Sequence, residues 1–218
     1  MSSKPDPAET PEVTHGADSP DLTTPTTPAD PIAEFRRLFA SIADGAPFDP
    51  TETSLATADA AGFPSVRTVL LKGVDERGFI FFTNYESRKG RELATNPRAA
   101  LLWRWPWLEL QVRAEGEVER LPAAESDAYF ASRPRGHQLS AWASAQSRPI
   151  ASYAELAAQA AAVEARFAGR EVPRPPYWGG FLLRPLAIEF WRSRPNRLHE
   201  RRRHVLSGGA WTTELLSP

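Results

Sequence analysis

Two stretches of the 218-residue chain hold residues whose types and spacing suit the binding of a small anion. In the first, Arg67 sits inside a run of β-formers, Ser65 to Leu71, and Lys72 follows at its end. Asp75-Glu76-Arg77-Gly78 supplies a polar turn before a second apolar run, Phe79 to Thr83. That pattern predicts a hairpin. Ser87-Arg88-Lys89 comes next, with Ser87 placed to cap a helix that runs to Asn96 and stops at Pro97. Cations in a first helical turn oppose the helix dipole. A bound phosphate would offset that cost, since free N–H groups and basic side chains there form an anion site. A solvated Arg/Lys pair is the other reading of the same residues.

The second stretch is Arg197 to Val205. If it is extended, its period of two puts Arg197, His199, Arg201 and Arg203 on one face. Such a row can hold an anion bidentately beside a titratable imidazole. An arginine-rich edge strand kept soluble by its charge has the same pattern. His15, His137, His199 and His204 are too dispersed for a recognisable metal site, and no Ser-His-Asp constellation stands out.

The elements that must position these residues follow from local signals. Asp30-Pro31 starts a helix to about Ala43, with Ile32, Phe35, Leu38, Phe39 and Ile42 on one core-facing side. Strands are expected over Thr53–Asp59, Ser65–Leu71, Phe79–Thr83, Ala99–Trp105 and Leu108–Leu121. The last of these alternates most regularly, with Gln111 as the one uncharged member of its polar face. Pro122 to Ser132 reads as a helix that places Tyr129 and Arg133 four apart, on one side. Arg133 to Ser147 reads as a polar connection around Trp142. Ser152 and Glu155 form a capping box for a helix to about Phe167. Strands then follow over Ala187–Arg192, Arg197–Val205 and Ala210–Leu216, the last two joined by Gly208-Gly209. With no βαβ alternation, about six or seven such strands argue for an antiparallel α+β fold that could close into a small barrel.

Composition narrows the class. Residues 1–30 carry six carboxylates against Lys4 alone, with six Pro and no aromatic residue. Such a segment cannot bury enough surface to order itself, so residues 1–29 are expected to be disordered ahead of one domain, residues 30–218. The remainder has 25 basic and 21 acidic residues, a mild excess that suits small phosphorylated ligands and is too scattered for a nucleic-acid surface. The absence of Cys fits a reducing cytoplasm. No 18-residue apolar run or signal-peptide core marks export or a membrane span.

Eight motifs in order, RTVLLK at 67–72, FTN at 82–84, SRKGREL at 87–93, SRPR at 132–135, AWASAQS at 141–147, YWGGF at 177–181, EFW at 189–191 and RLHER at 197–201, resemble the pyridoxamine/pyridoxine 5′-phosphate oxidases. The likeness runs from Asp30 to Pro218. It implies an FMN-binding split β-barrel, working as a homodimer with flavin sites at the subunit interface. By position, Arg67, Arg88 and Lys89 would hold the FMN phosphate and ribityl region, with Thr83 and the Phe82 backbone nearby. Gln111, Gln146, Ser147, Trp191 and Arg201 would complete the flavin site, some from the partner chain. Lys72, Tyr129 and Arg133 would grip the substrate phosphate, with His137 standing where a hydroxyl is expected. Arg197 and His199 would lie against the pyridine ring as the catalytic pair. Parity puts Arg67 and Lys72 on opposite faces of an ideal strand, so a bulge or the strand end must re-aim one of them. The implied reaction is oxidation of pyridoxine or pyridoxamine 5′-phosphate to pyridoxal 5′-phosphate, with dioxygen as acceptor and hydrogen peroxide as product. A related phenazine-type flavin oxidase, or a flavin- or pyridoxal-phosphate-binding protein without turnover, would share much of the pattern.

Overall fold

The computed structural model describes residues 30–43 and 46–218; the tail expected to be disordered lies outside them. Helix α1 (Pro31–Ala43) starts where Asp30 Oδ1 accepts from the Ile32 and Ala33 N–H groups, both at 3.0 Å. Its apolar side buries Ile32, Phe35, Leu38 and Ile42. Phe35 meets Phe79 and Trp103 with ring centroids 4.9 and 4.7 Å apart, anchoring the helix on the sheet.

That sheet has nine strands among the described residues: β1 (Glu52–Ala58), β2 (Pro64–Leu70), β3 (Gly73–Asp75), β4 (Gly78–Asn84), β5 (Arg98–Trp105), β6 (Leu110–Arg120), β7 (Trp178–Arg192), β8 (Glu200–Ser207) and β9 (Ala210–Leu215). The order is β2-β1-β5-β6-β7-β4-β3, with β8 on β7 and β9 on β8; every pair is antiparallel. The sheet curls into a half-barrel whose inner face carries Leu55, Phe79, Phe81, Leu101, Trp103, Val112, Leu183 and Phe190. The alternation of β6 holds from Leu110 onward. Ahead of it, Pro106–Leu108 forms a 3₁₀ turn and Glu109 takes a left-handed conformation, φ 54°.

Four further α-helices lie among the described residues: α2 (Arg88–Thr95), α3 (Ala123–Ser132), α4 (Arg135–Ala143) and α5 (Tyr153–Arg166). The Ser87 and Ser152 caps form as expected, each hydroxyl accepting an N–H three residues on.

Four sequence expectations need correction. β2 does not pair with β4; it pairs with β1, and the short β3 takes its place in the hairpin around Asp75-Gly78. The polar connection from Arg133 to Ser147 contains α4, which tertiary contacts support. Gln138 Nε2 donates to Phe130 O at 3.0 Å and Trp142 Nε1 to Pro173 O at 2.7 Å. β7 begins at Trp178, nine residues before the expected Ala187. Gly179-Gly180, expected at the end of a Pro-rich loop leading into the last strands, lie inside β7; a Cβ there would meet Tyr85 Oη at 2.1 Å or Leu121 Cδ1 at 2.5 Å, so glycine suits the close packing. Finally, β8 begins at Glu200, so Arg197 and His199 are not on the strand with Arg201 and Arg203. Pro195–Arg197 is a 3₁₀ turn with Asn196 and Arg197 at φ 56° and 61°, which breaks the period-two row.

Candidate active site

A cleft of roughly 520 Å³ opens between β2, β4, α3 and the loop after α4. It is lined by eight of the sequence-predicted site residues: Lys72, Phe82, Thr83, Lys89, Tyr129, Arg133, His137 and Gln146. Three of these are Lys or Arg, and among the described residues no carboxylate lines the cleft. This is an electrostatic setting for an anion.

The positions of these side chains follow from the fold. β2 ends at Leu70, and the Lys72 N–H donates to Ile80 O at 2.8 Å as the chain turns into β3. That strand end lets Lys72 face the cleft, while Arg67 faces Glu92. Lys89 is buried; its Nζ donates to Thr83 Oγ1 and Gln146 Oε1, both at 3.1 Å. Burial, then the charge of Arg67, lowers its pKa to about 8, against the pull of Glu92.

Arg133, just past the end of α3, lies 4.5 Å from the ring centroid of Trp178. Tyr129 stacks on Phe82 at 3.8 Å, and Phe82 stacks on Trp178 at 5.6 Å. Burial lowers the Arg133 pKa and raises that of the Tyr129 phenol. Arg133 Nη1 is buried without a hydrogen-bond partner. A desolvated guanidinium with an unmet donor is poised for an anionic acceptor. Trp178 was not singled out from sequence, although it lies in the YWGGF motif.

The remaining predicted residues fall outside this cleft. Arg67 and Arg88 both donate to Glu92, at 3.2 and 2.8 Å. Ser147 follows Gln146 with a left-handed φ of 68° and does not line the cleft. Gln111, Trp191, Arg197, His199 and Arg201 belong to a second group. Gln111 pairs with Trp191 across β6 and β7, and Trp191 with Arg201 across β7 and β8. The His199 ring lies 4.6 Å from that of Trp191, and its Nδ1 accepts from the Arg194 N–H at 3.2 Å. Buried Glu189 fixes the edge of this group by accepting from Arg201 Nε at 2.8 Å and from Arg113. The predicted residues therefore fall into separate groups on one chain: the cleft, the Arg67–Glu92–Arg88 cluster beside it, and the group on β6, β7 and β8.

The model for pyridoxamine 5′-phosphate oxidase matches residues 49–167, and that for the pyridoxine 5′-phosphate oxidase C-terminal dimerisation region matches residues 178–218. The chain belongs to the pyridoxamine 5′-phosphate oxidase family. This is a family of oxidoreductases. The second match covers β7, β8 and β9, so Trp191, Arg197, His199 and Arg201 lie in a dimerisation region, which indicates a homodimer. Among relatives in the family, the chain is 58% identical over 194 residues to the pyridoxine/pyridoxamine 5′-phosphate oxidase of Anaeromyxobacter dehalogenans strain 2CP-C, covering 89% of this chain and 98% of that one. It is 54% identical over 189 residues to that of Rubrobacter xylanophilus, covering 87% of each. A crystal structure of PhzG from Burkholderia lata 383, in complex with tetrahydrophenazine-1-carboxylic acid, superposes with a TM-score of 0.85 at 33% identity, over 92% of this chain and all of that one. A pyridoxamine 5′-phosphate oxidase-related, FMN binding protein from Nostoc punctiforme gives a TM-score of 0.69 at 17% identity, over 87% of this chain and 98% of that one; it supports the split-barrel fold alone.

Among the described residues no cluster of His, Asp or Glu could hold a metal ion, and no helix is long and apolar enough to cross a membrane.

Proposed function

We propose that the protein is a cytoplasmic homodimer that uses FMN to oxidise pyridoxine 5′-phosphate or pyridoxamine 5′-phosphate to pyridoxal 5′-phosphate, with dioxygen as acceptor and hydrogen peroxide as product; the amine substrate also consumes water and releases ammonia. The observation that carries this reading is the cleft in which Lys72, Lys89 and Arg133 converge, with no carboxylate among its described lining residues and with Arg133 Nη1 buried and unmet. The residues fit a phosphorylated flavin. Arg67, Arg88 and Lys89 gather around the start of α2, where the helix dipole also favours a phosphate. Thr83 and Gln146 offer polar atoms beside Lys89. When bound, FMN would supply the two-electron redox chemistry between the substrate and dioxygen.

The protein's own part is to bind and orient. Lys72, Arg133, Tyr129 and His137 hold the substrate phosphate through charge-assisted hydrogen bonds. The Phe82–Tyr129–Trp178 stack forms an apolar wall that keeps water from the polar contacts and strengthens them. Arg197 and His199, supplied from the partner's C-terminal region, lie against the pyridine ring. Because His199 Nδ1 accepts a backbone N–H, its neutral ring carries the proton on Nε2 and can donate from there.

The test is to add FMN to purified protein, supply pyridoxine 5′-phosphate under air, and assay pyridoxal 5′-phosphate and peroxide. Product with the phosphorylated vitamer and little with free pyridoxine is expected. The similarity to PhzG makes a tricyclic carboxylate the comparison substrate. Turnover of that compound without any of pyridoxine 5′-phosphate would replace this reading with the phenazine-type one.

A further inference from the structure

Glu92 is buried one turn into α2, and its two carboxylate oxygens serve different elements. Oε2 accepts from Thr57 Oγ1 on β1, and from Ser65 Oγ at 2.7 Å and Arg67 Nη2 at 3.2 Å on β2. Oε1 accepts from Arg88 Nε at 2.8 Å. Burial alone would raise its pKa, but hydrogen bonds from Thr57, Ser65, Arg88 and Arg67 outweigh that and hold it at about 2. It is a permanent anion at neutral pH.

The two guanidinium groups are thereby oriented differently. Arg67 is enclosed: Nη1 donates to Leu55 O at 3.2 Å and to Thr57, and Nη2 to Ser65 as well as Glu92. Among the described residues Arg88 is held only through Nε, and its side chain stays 53% exposed. Arg67, Arg88 and Lys89 against Glu92 leave a local charge that matches the roughly −1.5 to −2 of a phosphate monoester. Bringing a carboxylate out of water is costly, and a buried carboxylate is stabilising only with well-placed partners.

We propose that Glu92 is a positioning residue for the cofactor phosphate, orienting Arg88 through its Nε so that the Nη groups are left for the ligand, with Arg67 held as a fixed charge beside it, before the ligand arrives. The proposal rests on the FMN reading above. Pre-alignment favours binding because the ordering cost of two long side chains is met on folding and not on association. A purely structural Glu92 would pin α2 to β1 and β2 and affect all flavins alike.

The experiment compares FMN with riboflavin, which lacks the phosphate. Wild type, Glu92→Ala and Glu92→Gln are titrated with each by fluorescence quenching, and thermal melts verify folding. Glu92→Ala is expected to weaken FMN binding about tenfold or more, the loss of one charge-assisted hydrogen bond, and riboflavin binding by less than about twofold. Glu92→Gln should fall between, because its one carbonyl oxygen can serve the β2 donors or Arg88 but not both. Equal weakening of both flavins, or unchanged FMN affinity in a folded variant, overturns the proposal. If Glu92→Ala does not fold, the FMN-to-riboflavin affinity ratio of Glu92→Gln decides, and a ratio equal to wild type overturns it. A wild-type protein that binds neither flavin refutes the FMN reading itself, and the positioning role with it.

Discussion

Arg133 lays its guanidinium over the indole of Trp178, 4.5 Å from the ring centroid, while its Nη1 stays buried and unpaired. The ring fixes the plane of the fork and leaves one donor for a ligand. Arg133→Ala should weaken binding of a phosphorylated substrate by about 1.5–3 kcal/mol, seen as a higher KM with flavin affinity retained. Arg133→Lys should not restore it, because a lysine offers neither the fork nor the stacked plane. Recovery of wild-type KM by the lysine variant would show that charge alone matters there.

Lys89 gives the cofactor site a pH dependence. Its pKa is lowered to about 8 from 10.5, so between those values the unfolded chain binds more protons and the stability of the ligand-free protein rises with pH. A bound phosphate reverses the balance by favouring the charged lysine. FMN affinity should therefore fall as pH rises through about 8, a range in which the phosphate charge itself is constant. In Lys89→Arg the decline should vanish, since arginine stays protonated. Flavin titrations across that range test this; an identical decline in the variant would assign it elsewhere.

The proposed pairing of the cleft with the partner's C-terminal region predicts complementation between subunits. Assayed at a substrate concentration near the wild-type KM, Arg133→Ala and Arg197→Ala should each lose most turnover alone. Mixed after unfolding and refolding together, they should regain activity in about a quarter of all sites, because a mixed dimer carries both defects in one site and neither in the other. Arg197→Ala alone should leave flavin binding nearly intact. No recovery on mixing would mean that each chain completes its own site.

His204 makes the C-terminal strands sensitive to acid. It is buried against Phe190, with Nδ1 3.0 Å from Thr213 Oγ1 and Nε2 3.9 Å from Glu34 Oε2, while Arg202 pairs with Glu34. Burial, then the charge of Arg202, lowers its pKa to about 4 from 6.5. Unfolded chains therefore bind more protons across that window, and stability falls as pH drops through it. Glu34, whose pKa burial raises despite Arg202 and Arg37, acts in the opposite direction. Melting temperatures of wild type and His204→Gln should separate the two: the variant should lose less stability between pH 6.5 and 4. Parallel curves would remove His204 from the account.

What could be read without the structure was local. Asp30, Ser87 and Ser152 announce helix starts because a cap needs only its own side chain and an N–H two or three residues on. The β6 alternation is likewise carried by neighbours. The motif order pointed to the family, and eight of the predicted site residues do meet in one cleft. Tertiary structure decided the rest, because strand pairing and buried charge pairing bring together residues far apart in the chain. β2 had two candidate partners, and nothing in its own seven residues favours β1 over β4. Gly179-Gly180 looks like the end of a loop until Tyr85 and Leu121 are packed against it. The row from Arg197 to Arg203 looked like one strand because period two ignores φ; the positive values at Asn196 and Arg197 end it. Glu92 passed as one more charge on a short helix. Its donors Thr57 and Ser65 lie 35 and 27 residues away, and only folding brings them to the same carboxylate.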